Sequence, residues 1–110
     1  MASFEDFQKI DLRVGKIIEV KDFPGTRKLS YKLKIDFGKE IGIKQSSAQL
    51  CDLYSKEDLL NRLIIAVVNF PPKSIAGFQS EVLVLGVPDK DHKCVLLKPG
   101  KEIDIGGRVY

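Results

Sequence analysis

Residue types that commonly carry chemistry are scarce in this chain of 110 residues. It has no tryptophan, one methionine, one histidine and two cysteines. The histidine, His92, stands in the charged turn Asp89 to Lys93, where a metal ion would need more converging ligands than one imidazole. No P-loop, GxSxG or HExxH motif is present. These absences predict a non-catalytic protein with no cofactor and no metal site.

Long apolar runs are missing as well, since no stretch approaches the ~18–20 residues that span a bilayer. The N-terminus, MASFEDFQKI, has acidic residues where a signal peptide would have lysines, and it lacks an apolar core region. We therefore expect a cytoplasmic protein. In that compartment Cys51 and Cys94 are expected to be reduced, largely buried thiols rather than a disulfide.

What the chain does have is ordinary globular composition with unevenly placed charge. It is 44% hydrophobic and 30% charged, with a net charge of +3, and its length fits one domain over residues 1–110. Residues 13–49 carry nine Lys/Arg against four Asp/Glu, whereas residues 50–110 carry eight of each. The excess in the first half favours polyanions or acidic surfaces. A solvated, lysine-rich strand face is the alternative.

Alternation with period two predicts a mostly β fold. Residues 31–37 alternate apolar and polar side chains, and Ile10, Leu12, Val14, Ile18 and Val20 are expected on one face of an earlier strand. Gly15-Lys16 should mark a bend or bulge in that strand. Ile41 is expected to begin a third strand that enters the core.

Short helices and turns complete the predicted architecture. Helical turns are expected at residues 4–9 and 55–62, capped by Ser3 and Ser55. Further strands are expected at residues 63–68, 81–87, 94–98 and 103–109, with residues 69–80 as a loop. Six or seven short strands without a βαβ rhythm predict an oligonucleotide/oligosaccharide-binding (OB) fold. This is a five-stranded barrel with a helix between strands 3 and 4, and here it would carry extra terminal strand segments.

Three polar or basic segments are candidates for ligand binding. The first combines two basic residues after a Pro-Gly turn with lysines on the polar face of the second strand. The second is the run KQSSAQ at residues 44–49, and the third is NFPPKSIAGFQS at residues 69–80. Such side chains contact phosphates, bases or peptide backbone. The predicted ligand-binding residues are Arg27, Lys28, Lys32, Lys44, Gln45, Ser46, Ser47, Gln49, Lys73, Phe78 and Ser80. Alternatively, the polar run satisfies buried backbone and Phe78 plugs one end of the barrel.

Several of these motifs carry a family resemblance. DLRVGKI, residues 11–17, resembles the opening strand of the tRNA-binding OB domains. These domains occur at the C-termini of bacterial methionyl-tRNA synthetases and in the endothelial monocyte-activating polypeptide family. The runs KQSSAQ, AVVNFPP (66–72), IAGF (75–78) and SEVLVLG (80–86) more closely resemble the CsaA proteins, which are export-related chaperones. The resemblance covers essentially the whole chain.

The resemblance implies an OB-fold homodimer with one groove per subunit. Its expected partners are unfolded preproteins or peptides, held in a basic and apolar groove. The alternative is a tRNA-binding module that positions tRNA for another protein, and a structural or regulatory subunit is a third option. Apolar residues near the two ends of the chain are expected to form the dimer interface: Phe4, Phe7, Ile103, Ile105, Val109 and Tyr110.

Overall fold

Two short helices and nine strands make up the fold in the computed structural model, which describes residues 1–110. The helices are α1 (Phe4–Gln8) and α2 (Lys56–Leu59), each beginning at a serine whose side chain accepts a hydrogen bond from a backbone N–H. The strands are β1 (Leu12–Asp22), β2 (Tyr31–Asp36), β3 (Ile43–Ala48), β4 (Leu63–Val67), β5 (Lys73–Ile75), β6 (Phe78–Ser80), β7 (Leu83–Val84), β8 (Gly86–Pro88) and β9 (Cys94–Leu96). Neither helix has the length and apolar character needed to cross a bilayer.

The main sheet is antiparallel, in the order β3-β2-β1-β4-β7, and it curls into a nearly closed barrel. Alternate residues of β2 point inward, so Leu33, Ile35 and the following Phe37 are almost fully buried together with Ile17 and Ile64. The helix α2 lies between β3 and β4 in the chain. The predicted OB-type barrel is therefore confirmed.

The bend in β1 lies at Ile18 and not at Gly15-Lys16 as expected. The pairing with β2 shifts between Ile17 and Glu19, so one extra residue is accommodated at this point. Ile17, which pairs with Ile35 before the shift, is buried, whereas Ile18 is 38% exposed. The expectation that Ile18 and Val20 share one face was wrong, because Ile18 is the inserted residue and Val20 pairs opposite the buried Leu33.

Gly15 permits close packing and does not mark a bend. A Cβ atom at this position would lie 2.6 Å from Cγ2 of Ile35 and 2.7 Å from Cε1 of Phe37. The glycine thus lets the β1 backbone approach the buried side chains of Ile35, in β2, and Phe37, just after β2.

Three other sequence expectations need correction. Gly42 lies in a turn with φ of +84°, so β3 begins at Ile43, which is exposed, and the polar run forms the strand itself. The expected loop 69–80 contains the β5–β6 hairpin, and the single strand expected at residues 81–87 is divided into β7 and β8. The loop expectation failed because the hairpin turn uses Ala76 in a left-handed conformation, a residue type that gives no turn signal.

The last segment, residues 103–109, forms no regular strand. It is attached to β1 by one bridge between Arg13 and Arg108 and by backbone hydrogen bonds from Val14 N to Gly107 O and from Val109 N to Leu12 O. The consecutive Gly106-Gly107 explains the failed prediction, since Gly106 has φ of +94° and interrupts the extended conformation.

A buried arginine also attaches this segment to the barrel. The Arg13 guanidinium donates to both carboxylate oxygens of Asp11, at 2.6 and 3.2 Å, to Glu40 at 3.2 and 3.3 Å, and to Gly106 O at 3.0 Å. The hydrogen bonds from Arg13 to Asp11 hold the pKa of Asp11 below its ordinary value, and burial of the carboxylate opposes this shift. The DLRVG motif thus joins β1, the β2–β3 turn and the C-terminal segment.

Candidate ligand-binding groove

The polar run of β3 closes the barrel through its side chains. Ser46 is 1% exposed, and its hydroxyl donates to Val82 O at 3.1 Å and lies 3.3 Å from the hydroxyl of Ser80. The Ser80 hydroxyl in turn accepts a hydrogen bond from Ser47 N at 3.1 Å. Ser46 and Ser80 therefore satisfy buried backbone at the junction of β3 with residues 80–82, as the structural alternative for this run expected.

Gln45 and Glu81 extend this junction toward the surface. Gln45 N donates to the Glu81 carboxylate at 3.0 Å, Glu81 N donates to Gln45 O at 2.9 Å, and the Gln45 amide donates to Gln79 O at 2.9 Å. The outward backbone N–H groups of Gln45 and Ser47 and the carbonyl of Gln45 are thus already paired. An added peptide strand would have to displace these bonds to pair with this edge of the barrel.

The outer face of the sheet carries a basic surface beside this junction. Cross-strand pairing aligns Lys32 with Lys21 and with Ser47, and it aligns Lys34 with Glu19 and Gln45. Glu19 lies 3.7 Å from the ammonium groups of both Lys21 and Lys34, whereas Lys32 makes no ion pair. Because directly opposed like charges are unfavourable, Lys32 beside Lys21 favours an anionic partner.

Two phenylalanines fix the position of Lys32. The rings of Phe23 and Phe78 meet edge to face at 5.3 Å, and the Lys32 ammonium lies 4.7 Å from the first ring centroid and 5.2 Å from the second. This arrangement is favourable because a cation is attracted to the face of an aromatic ring. Phe78 is therefore half-buried against Phe23 and has a packing role at this position.

A groove of about 920 Å³ opens next to the aromatic pair. One wall is the loop before β2, the floor includes the end of β3, and the other wall comprises the hairpin tip and β7. The groove has no carboxylate among its lining residues, which are Gly25, Thr26, Arg27, Lys28, Ser30, Ser47, Ala48, Gln49, Leu50, Ile75, Ala76, Leu83, Val84 and Cys94. It combines an apolar interior with a basic and amide rim.

The predicted binding residues fall into separate places. Arg27, Lys28, Ser47 and Gln49 line the groove, whereas Lys32, Gln45 and Phe78 line a smaller neighbouring hollow of about 180 Å³. Ser46 and Ser80 are buried in the barrel junction.

Two predicted lysines lie apart from both cavities. Lys44 pairs in register with Ile35, so it is on the sheet face opposite to that of Lys32. Lys73 is exposed at the start of β5 and lines neither the groove nor the hollow.

Sequence reasoning missed part of the apolar lining. Leu83, Val84 and Cys94 belong to segments that the hydrophobic pattern assigned to core strands. Alternation within β7 was the available signal, because one of two consecutive apolar residues in a half-buried strand must face outward. Leu83 is that residue, and it is 49% exposed.

The cysteines are not activated nucleophiles. Burial raises the pKa of the Cys94 thiol above its ordinary value, and burial likewise raises the pKa of the Cys51 thiol, opposed by a hydrogen bond with Tyr31. A raised pKa leaves little thiolate at neutral pH. No group of three or more His, Cys, Asp or Glu side chains is placed to hold a metal ion.

Comparisons with known proteins agree with this architecture. The family model described as a putative tRNA binding domain matches residues 12–108. The CsaA chaperone protein of Picrophilus torridus is 53% identical, and its crystal structure matches with a TM-score of 0.93 over 100% of both chains. The chain belongs to the CsaA branch of the tRNA-binding domain family. The chaperone CsaA of Bacillus anthracis matches at 50% identity and a TM-score of 0.92, over 100% of this chain and 99% of that one.

Relatives outside the CsaA branch include methionine–tRNA ligases, which are much longer, and a MetRS related protein that this chain covers almost completely. The methionine–tRNA ligase of Thermococcus onnurineus is 44% identical over 106 residues, which are 96% of this CsaA-type chain but 14% of the ligase. The chain thus spans about one seventh of the length of these ligases. A structure described as a MetRS related protein of Pyrococcus horikoshii matches at 27% identity and a TM-score of 0.87, over 100% of this chain and 98% of that one.

Proposed function

We propose that this protein is a non-catalytic chaperone of the CsaA type that holds unfolded polypeptides, including preproteins destined for export, in the groove. The observation that carries the proposal is the composition of the groove. Its interior presents Ile75, Leu83 and Val84, which suit the apolar side chains of an unfolded chain. Each CH₂ group buried there contributes about 0.8 kcal/mol.

The polar rim supplies contacts that do not depend on client sequence. Arg27, Lys28 and Gln49 carry N–H donors that can bind the backbone carbonyls of an extended client. Since Gln45 and Ser47 of β3 already make outward backbone hydrogen bonds, the client is held by side chains of the groove. Binding by such contacts is reversible and needs no nucleotide hydrolysis.

A matched pair of substitutions tests the groove. Leu83 and Val87 are 49% and 50% exposed, but only Leu83 lines the groove. We expect Leu83→Gln to weaken binding of a labelled, reduced and carboxymethylated polypeptide about 10-fold, because ~1.4 kcal/mol of apolar contact is lost. Val87→Gln should change the Kd less than 2-fold. Fluorescence anisotropy measures both, and equal effects of the two variants would refute the assignment.

A second candidate function, binding of tRNA, is favoured by the basic outer face. Lys32 has no carboxylate within ion-pair distance and is held by two aromatic rings beside Lys21. Aromatic rings next to cations are typical of surfaces that bind single-stranded nucleic acid. On this account the same chain is a tRNA-binding module acting with a partner protein.

Salt dependence distinguishes the two functions. For tRNA, log Kd should rise linearly with the logarithm of the salt concentration. The slope should be about 0.7–0.9 for each phosphate that the protein neutralises. Lys21→Gln with Lys32→Gln, which removes two cations of the basic outer face, should lower that slope by about 1.5. Polypeptide affinity should change little with salt, since its main contribution is apolar. No tRNA binding at 0.15 M salt would refute the second function.

We further propose that the protein acts as a cytoplasmic homodimer. Among the interface residues expected from the sequence, Phe4, Phe7, Ile103 and Tyr110 are exposed, and the rings of Phe4 and Phe7 stack at 6.5 Å. Ile105 and Val109 are half-buried. Exposed apolar side chains near both chain ends support association, because contact would remove them from water.

A further inference from the structure

A second concave surface lies between the start of β4 and the loop after β9, and it shares no residue with the groove. Its volume is about 380 Å³. Three cationic residues line it, Arg62, Lys98 and Lys101, together with the acidic residues Asp58 and Glu102. We call this cavity the basic cleft.

Arg62 is a fixed cation in the basic cleft. Its guanidinium carbon lies 5.0 Å from the ring centroid of Tyr54, and its Nε donates to Asp58 O at 3.3 Å. The backbone on either side is attached to β1, since Asn61 N donates to Ile17 O and Ile17 N donates to Arg62 O. The two terminal nitrogens of the guanidinium make no hydrogen bond within the protein, so they are available to a ligand.

The remaining charges also favour an anion. Lys98 and Lys101 flank the Pro99-Gly100 turn, are exposed, and have no carboxylate within 4.0 Å of their ammonium groups. The Asp58 carboxylate is engaged at the start of α2, where it accepts a hydrogen bond from Ser55 N at 2.9 Å. The three cations outnumber the two carboxylates, Asp58 and Glu102, so the cleft keeps a net charge of +1.

We propose that the basic cleft binds a phosphate group. A pre-positioned guanidinium with two flexible ammonium groups matches the charge and the acceptor oxygens of phosphate. The volume also admits the sugar or second phosphate attached to it. The phosphate has two possible sources, a nucleic acid backbone or a free phosphate compound such as a nucleotide, and the experiment below distinguishes them.

The test uses a double variant with a control of the same charge change. Lys98→Gln with Lys101→Gln removes two cations of the basic cleft without disturbing the packing of Arg62 on Tyr54. The control, Lys39→Gln with Lys90→Gln, removes two exposed lysines that line neither the groove nor the basic cleft. Pyrophosphate is titrated into each ¹⁵N-labelled protein and followed by amide chemical shifts.

We expect pyrophosphate to shift the amides of residues 61–63 and 98–102 in the wild-type and control proteins, with at least 5-fold weaker binding to the double variant. Equal binding by the control and the double variant, or shifts confined to other residues, would overturn the proposal. A salt titration with tRNA then identifies the source. A slope lower by about 1.5 in the double variant indicates a nucleic acid backbone, and an unchanged slope indicates a free phosphate compound.

The proposed site is independent of the polypeptide groove. The double variant should bind the carboxymethylated polypeptide with unchanged affinity, because the basic cleft and the groove share no residue. Failure of pyrophosphate binding therefore leaves the groove assignment intact, and failure of the Leu83→Gln experiment leaves the basic cleft intact.

Discussion

Ser46 and Ser47 are neighbours in β3 with different surroundings. The Ser46 hydroxyl is buried and hydrogen-bonded to Val82 O, whereas Ser47 lines the groove and contributes its backbone N–H to Ser80. Their separation follows from the pleat, which sends consecutive side chains to opposite faces of a sheet. The sequence run KQSSAQ shows which polar groups are present, but it does not show which serine faces the core.

Substitution of each serine in turn tests this difference. We expect Ser46→Ala to lower the free energy of unfolding by about 1–3 kcal/mol, because Val82 O and Ser80 lose a buried partner. Ser47→Ala should change it by less than about 0.5 kcal/mol, as is usual for surface positions. Urea unfolding measures both values. A larger loss for Ser47→Ala would contradict the description of the barrel junction.

Gly15 provides a second prediction for a single residue. Gly15→Ala should destabilise the protein by about 1–3 kcal/mol, because its Cβ would overlap side-chain atoms of Ile35 and Phe37. Gly100→Ala is the matched control, since a Cβ there meets nothing within 4 Å and its φ is not in the left-handed region. Thermal unfolding of the two variants gives the comparison, and equal melting temperatures would contradict the packing role of Gly15.

At the scale of elements, the alternation of apolar and polar residues predicted strands best where the strand is regular. The pattern of residues 31–37 correctly identified β2 and its buried face, and the capping serines correctly located both helices. The prediction failed at β1 because a bulge reverses faces without changing the sequence pattern. It failed at residues 69–80 because a hairpin with Ala76 in its turn lacks the usual Asn-Gly signal.

The groove was only partly predictable for a related reason. Its basic rim, Arg27 and Lys28, follows a recognisable turn. Its apolar wall comes from β7 and β9, whose hydrophobic pattern predicted core strands. A hydrophobic strand segment at the end of a barrel has one face in the core and one in the groove. Sequence pattern alone does not separate these two environments.

The attachment of the C-terminal segment to β1 gives a prediction for pH dependence. The pKa of Asp11 is lowered in the folded protein by its hydrogen bonds with Arg13, so Asp11 stabilises the fold above its unfolded pKa of about 3.9. That stability is lost as the pH falls through the lower, folded pKa.

We expect Asp11→Asn to lower the free energy of unfolding at pH 7 by about 1.5–3 kcal/mol, the range for hydrogen bonds to charged groups. The difference from wild type should shrink progressively below pH 4. Urea unfolding at several pH values measures it, with Asp104→Asn, an exposed acidic residue with no ion pair, as the control. A difference that stays constant down to pH 2 would contradict the contribution of the Asp11 charge.

At the scale of the whole molecule, the proposed surfaces are spatially distinct. The groove, the basic outer face and the basic cleft occupy different parts of the barrel, and the exposed apolar residues of the two chain ends are a fourth surface. This distribution would let a dimer bind clients through both grooves at once. Two linked sites raise the apparent affinity for a long unfolded chain without any new contact.

Dimerisation is therefore a prediction with a direct measurement. Sedimentation equilibrium at micromolar concentration should give about twice the chain mass of 12.3 kDa. Phe4→Ser with Ile103→Ser should shift the protein to monomer, since both side chains are exposed and apolar. Val87→Ser with Val95→Ser, exposed apolar residues of the β8–β9 hairpin, provides the control. A monomeric wild-type protein would contradict the proposed association.

Protection of Cys94 from alkylation tests the groove assignment most directly. Cys94 lines the groove and Cys51 does not, so one protein contains both the probe and its internal control. The alkylation rates of both thiols are measured by mass spectrometry at pH 8.5, with and without a saturating unfolded, carboxymethylated polypeptide. We predict at least 5-fold slower alkylation of Cys94 with an unchanged rate at Cys51. An unchanged rate at Cys94 under saturating polypeptide would contradict binding in the groove.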